Sequence, residues 1–141
     1  MRLVLDTNVV VSGVLNPHGP PGRLVDLFLA GDLVLLVDDR ILGEYGSVLR
    51  RPRFGLRPAQ VDQLMRYVRA LAEPVIARPL AVDLPDPDDL PFLEVAAAGG
   101  AVLVTGNPRH FRPVRGACPV RVVSAREALA LFVAPDEAPP R

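Results

Sequence analysis

The sequence predicts an α/β protein in which helices cover a largely parallel sheet. Apolar segments of strand length alternate with segments of helical periodicity at least four times along the 141 residues. Pro, Gly and Asp cluster in the connections, which marks turns and helix starts. The sequence contains no internal repeat and no long low-complexity segment. Strands that alternate with helices in this way favour a parallel sheet.

The first half of the chain contains two of the predicted strands. Short runs of Val and Leu indicate buried strands, and apolar residues at helical spacing indicate helices. Pro and Gly mark a loop after the first helix, and Pro52 ends the last helix of this half. The predicted elements are a strand at 2–5, helices at 9–15 and 23–30, a loop at 16–22, a strand at 33–37 and a helix at 38–51.

The second half repeats the alternation. Pro58 starts a helix because its fixed φ suits the first turn, and Pro74 stops that helix. Ser124 and Glu127 form a capping box for the last helix. The predicted elements are a basic loop at 53–57, a helix at 58–72, an edge strand at 75–77, a connection at 79–87, a helix and a buried strand within 86–111, a strand at 120–123 and a helix at 124–133.

The composition fits one compact domain, which we place at residues 1–133, followed by a tail at 134–141. Half of the residues are hydrophobic, which is enough to bury a core. No apolar run approaches the ~20 residues of a membrane span, and the N-terminus enters a strand directly, so we expect a cytoplasmic protein. The single cysteine excludes an intramolecular disulfide and a cysteine-based zinc cluster.

The charges are unevenly distributed although their sum is zero. A neutral chain lacks the overall positive charge typical of many nucleic-acid-binding proteins. All sixteen basic residues are Arg, however, and the guanidinium fork suits phosphate. Genome base composition explains an Arg-rich chain equally well. The candidates for phosphate binding lie within eight positions and are Arg50, Arg51, Arg53 and Arg57.

Asp6 follows the first predicted strand and begins a group of polar residues with Thr7 and Asn8. In an open α/β sheet, ligands bind outside the carboxyl ends of the strands. A helix N-cap is the alternative role for Asp6. Three consecutive polar groups of different kinds exceed what a cap requires, so we expect Asp6 to belong to a site.

The segment at residues 86–111 brings two polar ends together. A helix followed by an antiparallel return on a strand places Asp89, at the helix start, near Asn107, beyond the strand. Asp86 and Asp88 precede the same helix, where negative charge is favourable. A helix cap is again the alternative for these acids.

Glu44 lies at the margin of an apolar helix stripe, partly turned toward the core, although a solvated surface Glu is the common alternative. Together with Asp6, Asp89 and Asn107 it provides three carboxylates and an amide on one edge of the sheet. Such a group repels itself unless a cation neutralises it, and hard oxygen ligands suit Mg²⁺ or Mn²⁺. The implied chemistry is metal-assisted hydrolysis of a phosphodiester.

Four segments together resemble a PIN domain, and more narrowly the PIN-family toxin components of prokaryotic toxin–antitoxin pairs. They are LDTN at 5–8, ILGEYGSVLRRPRF at 41–54, DPDDLPFLEVA at 86–96 and VTGNPRHF at 104–111. The resemblance implies a three-layer α/β/α sandwich around a mostly parallel sheet. It also implies a ribonuclease that uses Mg²⁺ or Mn²⁺, acts on RNA, forms homodimers and is inhibited by a small antitoxin protein.

The resemblance assigns roles by position. Asp6, Glu44 and Asp89 match the acidic metal ligands and are the predicted catalytic residues. Asn8 matches the amide beside the first ligand, Thr7 shapes the site, and Asp86 supplies outer charge.

The chain departs from the PIN pattern at Asn107, where a fourth Asp is usual. The Asn carbonyl can bind Mg²⁺ directly or through water but brings no charge, so a second metal is held less tightly. The TGN segment followed by His-Phe resembles a recurring subtype of the toxin-like group. His110 is a candidate for phosphate contact, and a structural role in the turn is its alternative.

Two other functions are weighed against the nuclease. A non-catalytic PIN-shaped module would bind RNA or a protein without cleaving it. An aspartyl-nucleophile phosphatase is disfavoured because it requires a second Asp at position 8 and a downstream Lys, whereas this chain has Asn8 and no Lys.

Overall fold

The central feature of the fold is a five-stranded sheet in which every pairing is parallel. The computed structural model describes residues 1–114 and 118–137. The strands are β1 (Arg2–Leu5), β2 (Val34–Val37), β3 (Glu73–Pro74), β4 (Val102–Val104) and β5 (Val122–Val123), in the order β3-β2-β1-β4-β5. The predicted α/β class with a largely parallel sheet is confirmed.

Six α-helices within the described residues surround the sheet. They are α1 (Thr7–Leu15), α2 (Pro20–Leu29), α3 (Asp39–Leu49), α4 (Pro58–Leu71), α5 (Leu90–Gly99) and α6 (Ala125–Glu137). α5 packs across β1, β2 and β4, whereas α2 packs against α1 and α6. The strand order reverses at β1, so the rule that parallel crossovers are right-handed puts α5 on the face of the sheet opposite α1 and α2. Within the described residues, no helix is long and apolar enough to cross a membrane.

The core lies around β1, which is flanked by β2 and β4. Leu3, Val4 and Leu5 are almost completely buried because helices cover both faces of the sheet. Tyr45 of α3 and Phe92 of α5 are among the largest fully buried side chains, and their ring centroids lie 6.3 Å apart. α3 and α5 are therefore tied to the same core as β1.

α2 begins earlier than the sequence indicated. Residues 20–22 were expected to belong to a loop because of their Pro and Gly content, but the helix starts at Pro20. Pro is compatible with the first helical turn because its missing N–H has no intrahelical partner there. Gly22 serves packing, since a Cβ at this position would lie 2.3 Å from the Pro17 carbonyl oxygen.

The edge strand β3 lies two residues before the predicted segment at 75–77. Its residues pair as Leu36 with Glu73 and Val37 with Pro74. Pro is compatible with an edge strand because the side that lacks an N–H can face away from the ladder. An ion pair between Arg2 and Glu73 holds this position.

The connection from β3 to α5 is anchored by a buried carboxylate. Glu94 accepts hydrogen bonds from the Arg40 guanidinium at 2.7 Å and from the Leu80 backbone N–H at 2.8 Å. Arg40 also bonds Asp38, which caps α3. These contacts fix the chain that leads into α5.

α6 starts as predicted and continues further. The Ser124 N–H donates to the Glu127 carboxylate at 2.9 Å and the Glu127 N–H to the Ser124 hydroxyl at 3.1 Å, so the capping box is confirmed. β5 is shorter than the strand predicted at 120–123. The helix extends through Glu137 into the predicted tail, and residues 138–141 lie outside the described part of the chain.

Candidate active site

A cavity of about 530 Å³ opens at the carboxyl edge of the sheet, beside the ends of β1 and β4. The strand order reverses there, which is where open α/β sheets bind ligands. Ten of the twelve residues singled out from the sequence line this cavity. They are Asp6, Thr7, Asn8, Glu44, Arg51, Arg53, Asp86, Asp89, Asn107 and His110.

Asp6 is fixed by two hydrogen bonds at the end of β1. Its carboxylate oxygens accept from the Thr7 backbone N–H and the Thr105 hydroxyl, each at 2.8 Å. Burial raises the pKa of Asp6 above its ordinary value, and the bonds from Thr105 and Thr7 oppose this rise. Asp6 is the N-cap of α1, and each oxygen retains a lone pair for a further partner.

Thr105 was not identified from the sequence as a site residue. It is fully buried, donates to Asp6, and accepts the Asn107 backbone N–H at 3.0 Å. It therefore connects two predicted metal ligands that are 101 positions apart. The signal was present, because Thr105 follows β4 just as Asp6 follows β1.

Glu44 reaches the cavity from α3. The Thr7 hydroxyl donates a hydrogen bond to its carboxylate. The next residue, Tyr45, donates its hydroxyl proton to the Leu5 carbonyl oxygen at 2.5 Å. Tyr45 is fully buried on the apolar side of α3. Its hydroxyl joins the helix that contains Glu44 to the strand end that precedes Asp6.

Asp89 is a buried carboxylate just before α5. It makes no side-chain cap hydrogen bond, so its oxygens are not used to start the helix. Burial, together with the charges of Asp6 and Asp86, raises the pKa of Asp89 to about 6, against an opposing effect of His110. His110 Nδ1 lies 3.2 Å from Asp89 Oδ2. His110 is thus a direct partner of a predicted ligand.

Asp86 and Asp88 form the exposed acidic side of the cavity. The Asp86 carboxylate accepts the Asp88 backbone N–H at 2.9 Å and caps the short 3₁₀ turn Pro87–Asp89. Asp86 still affects the site, because its charge contributes to the raised pKa of Asp89. The structure therefore gives Asp86 a cap and an electrostatic role together.

The turn after β4 places Asn107 opposite Asn8. The Asn8 side-chain oxygen accepts the Gly106 backbone N–H at 3.4 Å, a long hydrogen bond between α1 and this turn. Asn107 is exposed and lines the same cavity as Asp89. Both polar ends of the segment at 86–111 therefore face one space.

The four clustered arginines separate into two groups. Arg51 and Arg53 line the cavity, and the Arg53 guanidinium lies 4.8 Å from the centroid of the Phe54 ring. Arg50 bonds Asp62 at 2.7 Å in a groove between α3 and α4, and Arg57 lies exposed just before α4. The structure thus brings two of the four to the carboxylates.

The donor set fits a hard divalent cation. Five carboxylates and two amides line the cavity, and Mg²⁺ and Mn²⁺ prefer such oxygen ligands. Burial and, after it, like charges raise the pKa of Asp89, and a bound cation would neutralise the repulsion between those charges. Within residues 1–114 and 118–137, no three His, Cys, Asp or Glu side chains are already grouped as a metal site. The carboxylates would have to turn toward a shared centre to bind one.

Comparison with known protein families gives a match across most of the chain. A family model described as PIN domain matches residues 2–109. The uncharacterized protein MJ1680 of Methanocaldococcus jannaschii is 29% identical over 110 residues, covering 76% of this chain and 71% of that protein.

Solved structures with the same fold are less similar in sequence. VapBC2 from Rickettsia felis, bound to a DNA fragment from its promoter, aligns with a TM-score of 0.55 at 19% identity, over 88% of this chain and 98% of that chain. VapBC-1 from nontypeable Haemophilus influenzae aligns with a TM-score of 0.58 at 15% identity, over 89% and 99%. At these identities the likeness establishes a common fold.

Proposed function

Because the chain belongs to the PIN domain family, we propose that it is a metal-dependent endoribonuclease that hydrolyses RNA phosphodiester bonds. The main supporting observation is the cavity at the switch point of the sheet. Five carboxylates line it together with two arginines, Arg51 and Arg53. Carboxylates that hold a cation and arginines that hold a phosphate are the two parts that such chemistry requires.

The metal would be held by carboxylates from three different elements. In this proposal Asp6, Glu44 and Asp89 bind Mg²⁺ or Mn²⁺ directly, and Asn107 binds more weakly or through water. When bound, such an ion lowers the pKa of a coordinated water and stabilises charge on the phosphate.

Residues of the chain keep these ligands in place. Thr105 and the Thr7 backbone hold Asp6, and the Thr7 hydroxyl holds Glu44. His110 contacts Asp89, so its main role in this proposal is to orient that ligand, and contact with phosphate is a secondary role. Hydrogen-bonding partners of this kind orient metal ligands and strengthen binding.

Arg51 and Arg53 would hold the phosphate groups on either side of the cut. Phosphate contacts of this kind position the RNA without reading its sequence and weaken with salt. Arg50 and Arg57 would contact more distant phosphates, because they lie outside the cavity.

The structural neighbours support a regulatory context for this activity. Both are VapBC complexes, and one is bound to promoter DNA. We therefore propose that the protein is the toxin of a toxin–antitoxin pair, is inhibited by a small antitoxin and forms homodimers. Co-expression with the product of the adjacent reading frame should yield a complex that no longer cleaves RNA, and separate purification of the two would contradict this part.

The activity is tested with a panel of structured RNAs incubated with Mn²⁺, Mg²⁺ or chelator. We expect the parent protein to cut with either metal and to be inactive with chelator. Asp6→Asn should remove cleavage because it takes one charged ligand from the metal. Asp26→Asn, at an exposed position on α2, is the matched control and should cleave like the parent.

Two results would contradict the proposal. Undiminished cleavage by Asp6→Asn would place the metal elsewhere. Absence of cleavage of every RNA by the parent would favour the non-catalytic module that binds RNA or protein.

A further inference from the structure

A second pocket adjoins the active-site cavity. Its volume is about 270 Å³, and it lies between α1, the start of α2, the turn after β4 and the start of α6. Asn8, Ser12 and Asn107 line both spaces. A single extended ligand can therefore occupy the cavity and the pocket at the same time.

The two spaces differ in charge. Asp, Glu, Arg and His side chains line the cavity. Among the described residues, none with an ionisable side chain lines the second pocket. Val9, Pro21 and Ala125 provide its apolar walls, and amide and hydroxyl groups provide its polar edge. A pocket of this kind suits an uncharged, partly apolar group and offers no counter-charge for a phosphate.

We propose that this pocket binds the nucleoside next to the phosphodiester that is cut, and so sets a base preference for cleavage. The inference rests on the proposed nuclease function. A phosphate in the charged cavity requires its attached nucleosides to lie on either side of it. The uncharged pocket that shares a wall with the cavity is a suitable place for one of them.

Three side chains can contact the base or ribose there. Asn8 uses its oxygen toward Gly106, and its amide nitrogen supplies two donors. Ser12 is exposed on α1, and Ser124 lies at the start of α6. Amide and hydroxyl groups recognise base edges and the ribose 2′-hydroxyl. Ser124 is the most informative of the three because it lines the pocket without lining the cavity.

The binding experiment uses the whole 141-residue chain with Ca²⁺ in place of Mg²⁺ or Mn²⁺, so that the carboxylates are neutralised, and gel analysis of each probe afterwards checks that the RNA is intact. The probes are hexamers of oligoadenylate, oligocytidylate and oligouridylate, and a hexamer without bases. We expect the parent to bind one base type more tightly than the abasic strand. Ser124→Ala should reduce that difference by about fivefold, the loss expected for one hydrogen bond, without weakening abasic binding.

The chain supplies a matched control for the helix cap. Ser124 also caps α6, so its substitution affects stability, and Glu127→Ala removes the other half of the same capping box. Glu127 does not line the pocket, so this variant should retain the base preference. If Ser124→Ala and Glu127→Ala show the same base preference, the subsite is contradicted. It is also contradicted if the parent binds abasic and base-containing strands equally well.

A substitution that adds volume at the pocket wall gives a second, independent test of the subsite. A Cβ at Gly106 would lie 3.6 Å from the Asn8 side chain, an ordinary contact, so Gly106→Ala fits the fold. Its methyl group lies on the pocket wall and should alter the order of preference among the three hexamers. An unchanged order would count against the subsite.

The same proteins are then assayed for cleavage of a randomised RNA pool with Mn²⁺. One outcome is that the parent shows a base preference that Ser124→Ala loses and yet cleaves no RNA. That result would support the subsite and contradict the nuclease function. Cleavage with no such preference would keep the nuclease function and remove the subsite.

Discussion

The two ends of strand β1 differ in how the charged side chains around them are paired. At the amino end, Arg2 donates to the Glu73 carboxylate at 3.0 Å and to the Gly99 carbonyl oxygen at 3.1 Å. At the carboxyl end, Asp6 lies near two other carboxylates, and their like charges affect one another. One end of the strand pairs its charges, and the other accumulates charge of one sign.

The pKa values of the carboxyl groups reflect this difference. The Arg2 guanidinium lowers the pKa of Glu73 below its ordinary value, so the charged form is favoured there. Burial and neighbouring charges raise the pKa of Asp89 to about 6, so the charged form is disfavoured. The ion pair at the amino end therefore stabilises the fold, whereas burial and like charges at the carboxyl end disfavour the charged form of Asp89. Substitutions at the two ends should separate stability from activity.

The largest effect is expected for Asp89→Asn. The loss of a ligand should reduce RNA cleavage by at least about 100-fold. Without metal, the variant should be more stable at pH 7 by roughly 1–2 kcal/mol, or about 2–6 °C in melting temperature, because a disfavoured charge is removed. Thermal unfolding with chelator measures this. Asp26→Asn, at an exposed position on α2 that does not line the cavity, is the control and should change neither quantity appreciably. A melting temperature below that of the parent would contradict the comparison.

Thr105→Val should have the next largest effect. The substitution keeps the side-chain shape but removes the hydrogen bonds to Asp6 and to the Asn107 N–H. We expect Mn²⁺ affinity to fall about 10- to 100-fold, as for other partners of metal ligands. Titration calorimetry measures the affinity, and Thr105→Ser should restore most of it. Affinity equal to that of the parent in Thr105→Val would show that Asp6 needs no support.

Tyr45→Phe should weaken both properties moderately. The lost bond to the Leu5 carbonyl should reduce stability by about 0.5–1.5 kcal/mol. Mn²⁺ affinity should fall less than in Thr105→Val, because Tyr45 acts on the spacing of Asp6 and Glu44 through the backbone. The chain has two tyrosines, and the exposed Tyr67 gives the control Tyr67→Phe. Urea unfolding and Mn²⁺ titration of both variants measure the effects. Equal stability and equal Mn²⁺ affinity in Tyr45→Phe and Tyr67→Phe would show that the Tyr45 hydroxyl does not position Asp6 and Glu44.

The smallest effect should come from Glu73→Gln at the amino end. A carboxyl group with a lowered folded pKa stabilises the protein above its unfolded pKa, and this stabilisation is lost as pH falls through the folded pKa. The variant should therefore be slightly less stable than the parent at pH 7, and this difference should disappear as the pH falls through the folded pKa of Glu73. Urea midpoints measured from pH 7 downward test this, with RNA cleavage at pH 7 unchanged. A marked loss of cleavage would show that the two ends of β1 are not independent.

Local patterns were sufficient for the class of the fold. The alternation of strands and helices and the capping box at Ser124 follow from periodicity and from residues close together in sequence. The differences from prediction lie at element boundaries. Pro20 starts α2 and does not belong to the preceding loop, whereas Pro74 lies beyond the end of α4, as predicted, and also belongs to the edge strand β3. Both positions depend on packing, through the close approach of Gly22 to Pro17 and the pairing of β3 with β2.

The sequence by itself determined which residue types could form the site, because the carboxyl ends of parallel strands meet at one edge. Asp6 follows from that rule, Asp89 from its place at a helix start, and Glu44 from the resemblance to the PIN pattern. Only the tertiary structure decided which partners hold them. Thr105 is 99 positions from Asp6, and Tyr45 is 40 positions from Leu5. Such hydrogen bonds depend on how α3 and the end of β4 pack against β1, which local periodicity does not specify.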